Sequence, residues 1–275
     1  MESKLDALYL DLLKKTLSFT LWPEPPVPLM TFNYARSPIK KFVISAVSKL
    51  LNRKNLQIAQ KRVFSDIDRL DGGVWSGYAD SMIGIKRLDN LQYCIEDVLK
   101  NEIQGDFIET GVWRGGACIF MRAVLAARGV ENRKVFVADS FEGLPKPDIE
   151  LYPADKGDTH HIHDFLAVSE DTVKNNFMKY GMLDNQVVFL KGWFKDTLPV
   201  APIELLSILR LDGDMYSSTI EALEILYPKL SVGGYCIVDD YAIQGCKLAV
   251  DDFRKKHKIE SEMKQIDWTG VYWKK

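Results

Sequence analysis

The sequence predicts an α/β fold in which a doubly wound, mostly parallel sheet of seven strands follows an N-terminal helical extension. Three observations carry this expectation. From Gly105 onward, short apolar runs alternate with stretches of helical spacing, the pattern of strands joined by crossover helices. The segment GDFIETGVWRGG, Gly105–Gly116, reads as strand, glycine turn and helix start. The chain before Gly105 lacks this alternation and shows helical spacing broken by prolines.

In chain order, residues 1–20 have helical spacing, with Leu5, Leu8, Leu12 and Leu13 assigned to one face. Pro23, Pro25, Pro26 and Pro28 then interrupt regular structure. Ile39–Leu51 has the spacing of an amphipathic helix. From Pro25 to Ser65 there are eight Lys or Arg and no Asp or Glu. A solvated face or a subunit contact accounts for that bias, with an anionic surface as the alternative. A loop containing Gly72, Gly73 and Gly77 precedes a helix over Leu88–Lys100. Strands follow at Asp106–Glu109, Lys134–Asp139, Val187–Leu190, Ser207–Leu211 and Tyr235–Val238. Helices are expected over Gly116–Arg128, Glu170–Tyr180, Thr219–Leu230 and Lys247–Lys256. Ile259–Trp273 reads as two more strands around Asp267–Gly270. The chain thus divides into an extension over 1–70, carrying subunit contacts and part of a lid, and a main domain over 71–275.

A chain of 275 residues can bury one large core. A formal net charge of −2 leaves no electrostatic footprint for nucleic acid. No run reaches the ~20 apolar residues that span a bilayer. Glu2, Asp6 and Asp11 break the N-terminus where a signal peptide keeps an apolar core. Cys94, Cys118, Cys236 and Cys246 form no CxxC pair, so buried reduced thiols in a cytoplasmic protein are expected.

The glycine turn is the first chemical signal. Ligands of open parallel sheets bind beyond the carboxyl ends of the strands. Gly111, Gly115 and Gly116 permit tight turns and a close backbone approach. The spacing departs from the GxGxxG dinucleotide fingerprint, and Trp113 stands where a pyrophosphate needs clearance. Glu109 repels pyrophosphate but accepts from an ammonium group. Together these favour S-adenosylmethionine over NAD. Asp139, 30 residues on, terminates the next strand and suits ribose hydroxyls, or else caps the following segment. Gly192 and Trp193, in KGWFKDTLP, line adenine in one reading, and Trp193 is core in the other.

The second signal is acidic. Leu209–Thr219 reads LRLDGDMYSST and Gly233–Tyr241 reads GGYCIVDDY. These strand ends open on one crevice, which gathers Asp212, Asp214, Asp239 and Asp240. Like charges at a shared site raise one another's pKa. A hard divalent ion such as Mg²⁺ removes the conflict, whereas helix capping explains a lone aspartate better than four. His160, His161 and His163 match no common zinc spacing and lie in the polar connection Ser140–Leu166, read as a mobile lid over the substrate.

The combination of SMIGIKRLDNLQ (Ser81–Gln92), GDFIETGVWRGGACIFMRA, VADSFEGLP, LRLDGDMYSST and GGYCIVDDY resembles the macrocin O-methyltransferase family over residues 75–275. That resemblance implies a Rossmann-like class I methyltransferase sheet and an S-adenosylmethionine- and Mg²⁺-dependent enzyme that methylates a sugar hydroxyl. It implies methionine-end contacts at Glu109 and Gly111, a ribose ligand at Asp139 with Ser140 beside it, and a cofactor flap at Ser81 and Met82. Trp113, Gly115, Gly192 and Trp193 complete the expected cofactor site. Asp212, Asp239 and Asp240 resemble the metal ligands and Asp214 the general base, so Asp212 and Asp214 are the expected catalytic pair. Ser81 stands where many members carry threonine, and keeps the hydroxyl. The expected partner is a small-molecule hydroxyl acceptor such as a glycoside, within a homodimer, with no nucleic acid or membrane. The rivals are a catechol-type phenol O-methyltransferase, an NAD-dependent oxidoreductase and a non-catalytic binding protein.

Overall fold

The computed structural model describes residues 3–29 and 38–275. The first two residues of the expected N-terminal helix and the segment 30–37 lie outside the described residues. Helix α1 (Lys4–Leu17) begins at a capping box. The Ser3 hydroxyl accepts from the Asp6 N–H, and the Asp6 carboxylate accepts from the Ser3 N–H. Its buried face is Leu10, Leu13 and Leu17, while Leu5, Leu8 and Leu12 stay exposed. The expected single apolar face is therefore two stripes, and only the stripe with Leu13 joins the core.

The proline run does not exclude regular structure. Val27–Pro28 (β1) pairs antiparallel with Ala59–Gln60 (β2), a two-stranded ribbon in which proline is tolerated because each strand has a free edge. Helices α2 (Pro38–Asn52), α3 (Asp66–Leu70) and α4 (Ile85–Lys100) complete the N-terminal part.

The main sheet then alternates with helices. In order come β3 (Asp106–Thr110), α5 (Gly116–Ala127), β4 (Val135–Asp139), α6 (Glu170–Lys179), β5 (Val187–Lys191) and α7 (Phe194–Thr197). There follow β6 (Leu206–Leu211), α8 (Tyr216–Leu226), β7 (Leu230–Val238), α9 (Gln244–Lys256), β8 (Lys264–Gln265) and β9 (Val271–Lys274). The seven strands lie in the order β5-β4-β3-β6-β7-β9-β8. The first five are parallel, and β9 runs antiparallel to β7 and β8. The expected sheet is thus present.

Several boundaries differ from the sequence reading: α4 and α9 each start three residues early, at Ile85 and Gln244, and α8 differs at both ends. Helix α8 starts at Tyr216 rather than Thr219, because the buried Asp155 carboxylate accepts from the Tyr216 and Ser217 N–H groups at 2.7 and 3.0 Å. That cap comes from a distant loop, so no local signal reveals it. Pro228, in a short 3-10 turn over Tyr227–Lys229, ends the helix early, and β7 begins at Leu230.

Side chains alternate across the sheet with period two. Phe107, Val137, Ile208 and Ile237 pack with the α1, α4 and α5 residues Leu17, Leu91 and Phe120. Ile108, Phe136, Leu209 and Val238 pack on the other face with Leu223, Phe253 and Trp273. The same parity carries Glu109, Arg210 and Asp239 to the face of α4 and α5, at the strand ends. Strand order reverses between β3 and β6, and there the backbone pairing runs on into the loops. The Gly111 N–H donates to Ala138 O, Asp212 to Thr110 O and Asp239 to Leu211 O, each at 2.9 Å. All four cysteines are buried and free, and no helix among the described residues is long and apolar enough to cross a membrane.

Candidate active site

A cavity of about 550 Å³ opens at this reversal point, within the usual ~300–1,000 Å³ of small-molecule sites. Ser81, Met82, Glu109, Gly111 and Trp113 line one part of it, and Asp139, Ser140, Gly192 and Trp193 another. Asp212, Asp214, Asp239 and Asp240 line it too, so the residues of both chemical signals share one chamber. Trp193 is half-buried at the cavity wall and is not a core residue.

Gly115 is the exception and corrects the sequence reading. It does not line the cavity. A Cβ there would meet Val173 Cγ1 at 2.8 Å and Phe177 Cε2 at 3.2 Å. Its bare backbone lets α6 close against the start of α5. Gly111 has a different duty. Its φ is +83°, and an added Cβ would lie 1.7 Å from the Asp212 carbonyl oxygen. Only glycine lets the turn after β3 pass the turn after β6 at this distance.

The flap lies over the start of α5. The Asp80 and Ser81 N–H groups donate to Leu17 O at 2.9 and 3.1 Å. Arg114, from the glycine turn, donates to Gly77 O and Ala79 O at 2.9 and 2.6 Å. Asp139 anchors the same turn. One carboxylate oxygen accepts from the Val112 N–H and the other from the Phe141 N–H, both at 2.7 Å. Burial pushes its pKa up, and those backbone donors oppose the rise. Asp139 therefore shapes the loop, as in the capping reading, while lining the cavity as the ribose reading requires.

The acidic cluster is tight. Asp212, Asp239 and Asp240 each offer a carboxylate oxygen, and these atoms lie within 4.8 Å of one another. Among the described residues, His160, His161 and His163 form no such group. Burial pushes Asp240 well above the usual carboxylate range, and the charges of Asp214, Asp212 and Asp239 add to the rise. Asp214 is pushed up to about 7 by burial and by Asp212, with His160 opposing. Its backbone N–H donates to Asp240 at 3.3 Å, and its φ of +56° is left-handed, a conformation worth ~1–3 kcal/mol of local strain in a non-glycine residue.

Sequence reasoning missed two cations. Arg210, on β6, is 1 % exposed. It pairs with Glu109, with Asp212 at 2.8 Å and with Asp239. Burial disfavours its charge, but those carboxylates hold its pKa well above the ordinary value. Arg87, on α4, pairs with the other oxygen of Asp239 and with Asp267 at 2.8 Å. The signal was available: an arginine inside the buried run LSILRL requires acidic partners. Glu109 gives one oxygen to Arg210, and the other accepts from the Cys118 thiol at 2.9 Å. Burial lifts Glu109 to about 7, with Arg210 opposing. Any ligand ammonium would share this carboxylate with Arg210.

Glu109, Asp212, Asp239 and Asp267 thus share two guanidinium groups, while Asp240 is raised by burial first and then by the surrounding charges of Asp214, Asp212 and Asp239. An oxygen-only donor set with surplus charge fits a hard divalent cation.

The connection 140–166 covers the cavity. Leu151, Tyr152, His160, His163 and Phe165 line it, whereas His161 does not. Asp155 ties the connection to α8, and the Trp113 indole N–H donates to Phe165 O at 2.9 Å. The His160 ring pairs with Asp158 at 2.6 Å.

The sequence model of the family described as Macrocin-O-methyltransferase (TylF) matches residues 6–275. The chain is 47% identical over 269 residues to 8-demethyl-8-(2,3-dimethoxy-alpha-L-rhamnosyl)-tetracenomycin-C 4'-O-methyltransferase of Streptomyces olivaceus, covering 97% of this chain and 92% of that protein. It is 46% identical over 271 residues to demethyldecarbamoylnovobiocin O-methyltransferase of Streptomyces niveus, covering 98% and 94%. Mycinamicin III 3''-O-methyltransferase of Micromonospora griseorubida is 42% identical over 271 residues, covering 98% and 96%. The solved structure of the O-methyltransferase NovP superposes with a TM-score of 0.83 at 44% identity, covering 98% of this chain and 99% of that one.

Proposed function

The chain belongs to the macrocin O-methyltransferase family and is an O-methyltransferase, and from that premise we propose that it methylates a sugar hydroxyl of a glycosylated natural product, using S-adenosylmethionine and Mg²⁺. The assignment removes the NAD-dependent and non-catalytic readings. The observation that carries the proposal is the shared chamber. Three carboxylate oxygens within 4.8 Å of one another line the cavity that also holds the glycine turn, Asp139 and the flap. The acceptor class rests on the relatives, named for a rhamnosyl tetracenomycin, demethyldecarbamoylnovobiocin and mycinamicin III.

When bound, S-adenosylmethionine would supply an electrophilic methyl group and Mg²⁺ would supply positive charge to the site. Asp212, Asp239 and Asp240 would hold the cation. Glu109 and Gly111 take the methionine end of the cofactor, and Asp139 with Ser140 the ribose. Asp214 accepts the proton of the acceptor hydroxyl, and its position near neutrality suits a general base. The flap at Ser81 and Met82 and the cover at 140–166 exclude water and orient the acceptor.

We assign residues 1–70 to subunit contacts in a homodimer, supported by the exposed Leu5, Leu8 and Leu12 of α1 and Ile39, Phe42 and Leu50 of α2. The four free cysteines support a cytoplasmic location.

The test is calorimetric titration with S-adenosylhomocysteine, and separately NAD, each with Mg²⁺ and with EDTA, followed by methylation assays on glycosides. Micromolar S-adenosylhomocysteine binding and methyl transfer abolished by EDTA are expected. Turnover unchanged in EDTA would remove the metal from the reading, and transfer to phenols but no glycoside would replace the acceptor class.

A further inference from the structure

Asp239 is gripped from two sides. Arg210 holds Oδ1 from β6, and Arg87 holds Oδ2 from α4. Arg87 does more than neutralise. Its side chain is 6% exposed, its Nε lies 2.8 Å from Asp267 in an ion pair without hydrogen-bond alignment, and an Nη donates to Gly72 O at 3.3 Å. Asp267 in turn accepts from the Thr269 and Gly270 N–H groups at 3.0 and 2.7 Å, the turn that leads into β9. Thr269 returns a hydroxyl bond to the Asp239 carbonyl at 3.0 Å. The fit is close on every side. A Cβ on Gly72 would lie 2.5 Å from the Arg87 guanidinium, and one on Gly270 would lie 3.1 Å from its Cδ. One planar fork thus joins the loop before the flap, the end of β7 and the C-terminal turn.

We propose that Arg87 is a positioning residue for the divalent cation: its fork fixes the rotamer of Asp239 so that the carboxylate's remaining lone pairs meet those of Asp212 and Asp240. This rests on reading those three aspartates as cation ligands. A carboxylate has about four acceptor positions, so two guanidinium contacts leave Asp239 free to ligate. Groups that orient a ligand from outside the coordination sphere commonly change metal affinity ~10–100-fold. A cation beside the site also repels the incoming ion, so charge and geometry act in opposite directions. Lysine separates them. It keeps the charge but has no planar fork, so it cannot hold Asp239, Asp267 and the Gly72 carbonyl together.

The experiment titrates Mn²⁺ into the full-length protein, wild type, Arg87→Lys, Arg87→Met and Asp212→Asn, by calorimetry and by Mn²⁺ electron paramagnetic resonance. Thermal melts run in parallel. Positioning predicts that Arg87→Lys binds Mn²⁺ at least ~10-fold more weakly. Wild-type affinity in Arg87→Lys, with tighter binding in Arg87→Met, would overturn it and leave Arg87 a mere charge. Asp267→Asn offers a second route, because it loosens the fork while leaving both arginine contacts to the Asp239 carboxylate in place. It is expected to weaken Mn²⁺ binding, and unchanged affinity there counts against the proposal even if both Arg87 variants fail to fold. Wild-type protein that binds no Mn²⁺, or Asp212→Asn that binds it normally, overturns the ligand reading itself, a result distinct from the failure of Arg87 alone.

Discussion

Replacing Arg210 by methionine tests the electrostatics of the site without substrate. The side chain is buried and pairs with Glu109, Asp212 and Asp239. Breaking a buried ion pair by removing one partner typically costs ~3–5 kcal/mol. In a chain of this size each kcal/mol moves Tm by ~2–4 °C, so a fall of about 6–20 °C is expected in EDTA. The fall must depend on pH. Glu109 is lifted to about 7 in the fold, above the ~4.3 of a free glutamate. The folded state therefore binds more protons than the unfolded state between those values, and this group's contribution to stability declines as pH rises through that window. Without Arg210 the folded value climbs further and the window extends upward. At pH 5 Glu109 is protonated with or without the arginine, so its pairing adds nothing to the loss there, which comes from Asp212 and Asp239. At pH 8 the wild type has a paired carboxylate, and Arg210→Met must protonate it or bury it unpaired. Thermal melts from pH 5 to pH 8.5 should show the two proteins diverging as pH rises. An equal fall in Tm at every pH would refute an unpaired Glu109 as a cause and leave the Asp212 and Asp239 pairs and side-chain packing in its place.

The glycine turn and Asp212 should fail together. Gly111→Ala places a Cβ against the Asp212 carbonyl at a left-handed φ, itself worth ~1–2 kcal/mol, so affinities for both S-adenosylhomocysteine and Mn²⁺ should fall, and calorimetry showing loss of one alone would separate the two turns. Asp214→Asn should lower turnover ~100-fold or more while leaving both affinities unchanged, and normal turnover would remove Asp214 as the base. Burial lowers the His160 pKa, but Asp158 and Asp214 raise it more, so it titrates above the ordinary histidine value. Asp158→Asn should therefore bring the His160 pKa down in a ring-proton NMR titration. No movement would mean that the 2.6 Å pair does not set its charge.

How much of this was legible in the sequence follows from the range of each force. Strand and helix periodicity is local, so the alternating elements from β3 to α9 and the seven strands were readable from residue spacing, except α7, whose four residues are too few to show a period. Strand ends inherit their neighbours from topology, which is why Asp212, Asp239 and Asp240 could be grouped before any coordinates. Asp155 capping α8 from a loop some sixty residues earlier carries no local trace. Helix α1 shows the limit of periodicity alone: its apolar residues fall in two stripes, and only packing decides that Leu10, Leu13 and Leu17 go in. Gly115 looked like part of the cradle because turn glycines look alike, and its neighbours Val173 and Phe177 come from a helix much later in the chain.

Arg210 and Arg87 illustrate a signal that was present but unused. Arg210 lies between Leu209 and Leu211, with the parity of Ile208, so period two already sends it to a buried face. A buried guanidinium must have acidic partners, and the acids on flanking strand ends are Glu109 and Asp239. Following that requirement would have joined the cofactor turn to the carboxylate cluster from sequence alone. Parallel pairing places Glu109 directly beside Arg210, and Ile237, two residues before Asp239, pairs with Arg210 on the other side. The acid expected to meet the cofactor and the acids expected to hold the cation are therefore one charge network with a single arginine at its centre. A change at either end alters the partner left for the other, so cofactor and cation affinities should be coupled in the wild type and less coupled in Arg210→Met. Titrating S-adenosylhomocysteine with and without Mg²⁺ measures that coupling, and equal affinities in the wild type under both conditions would show that the network does not transmit it.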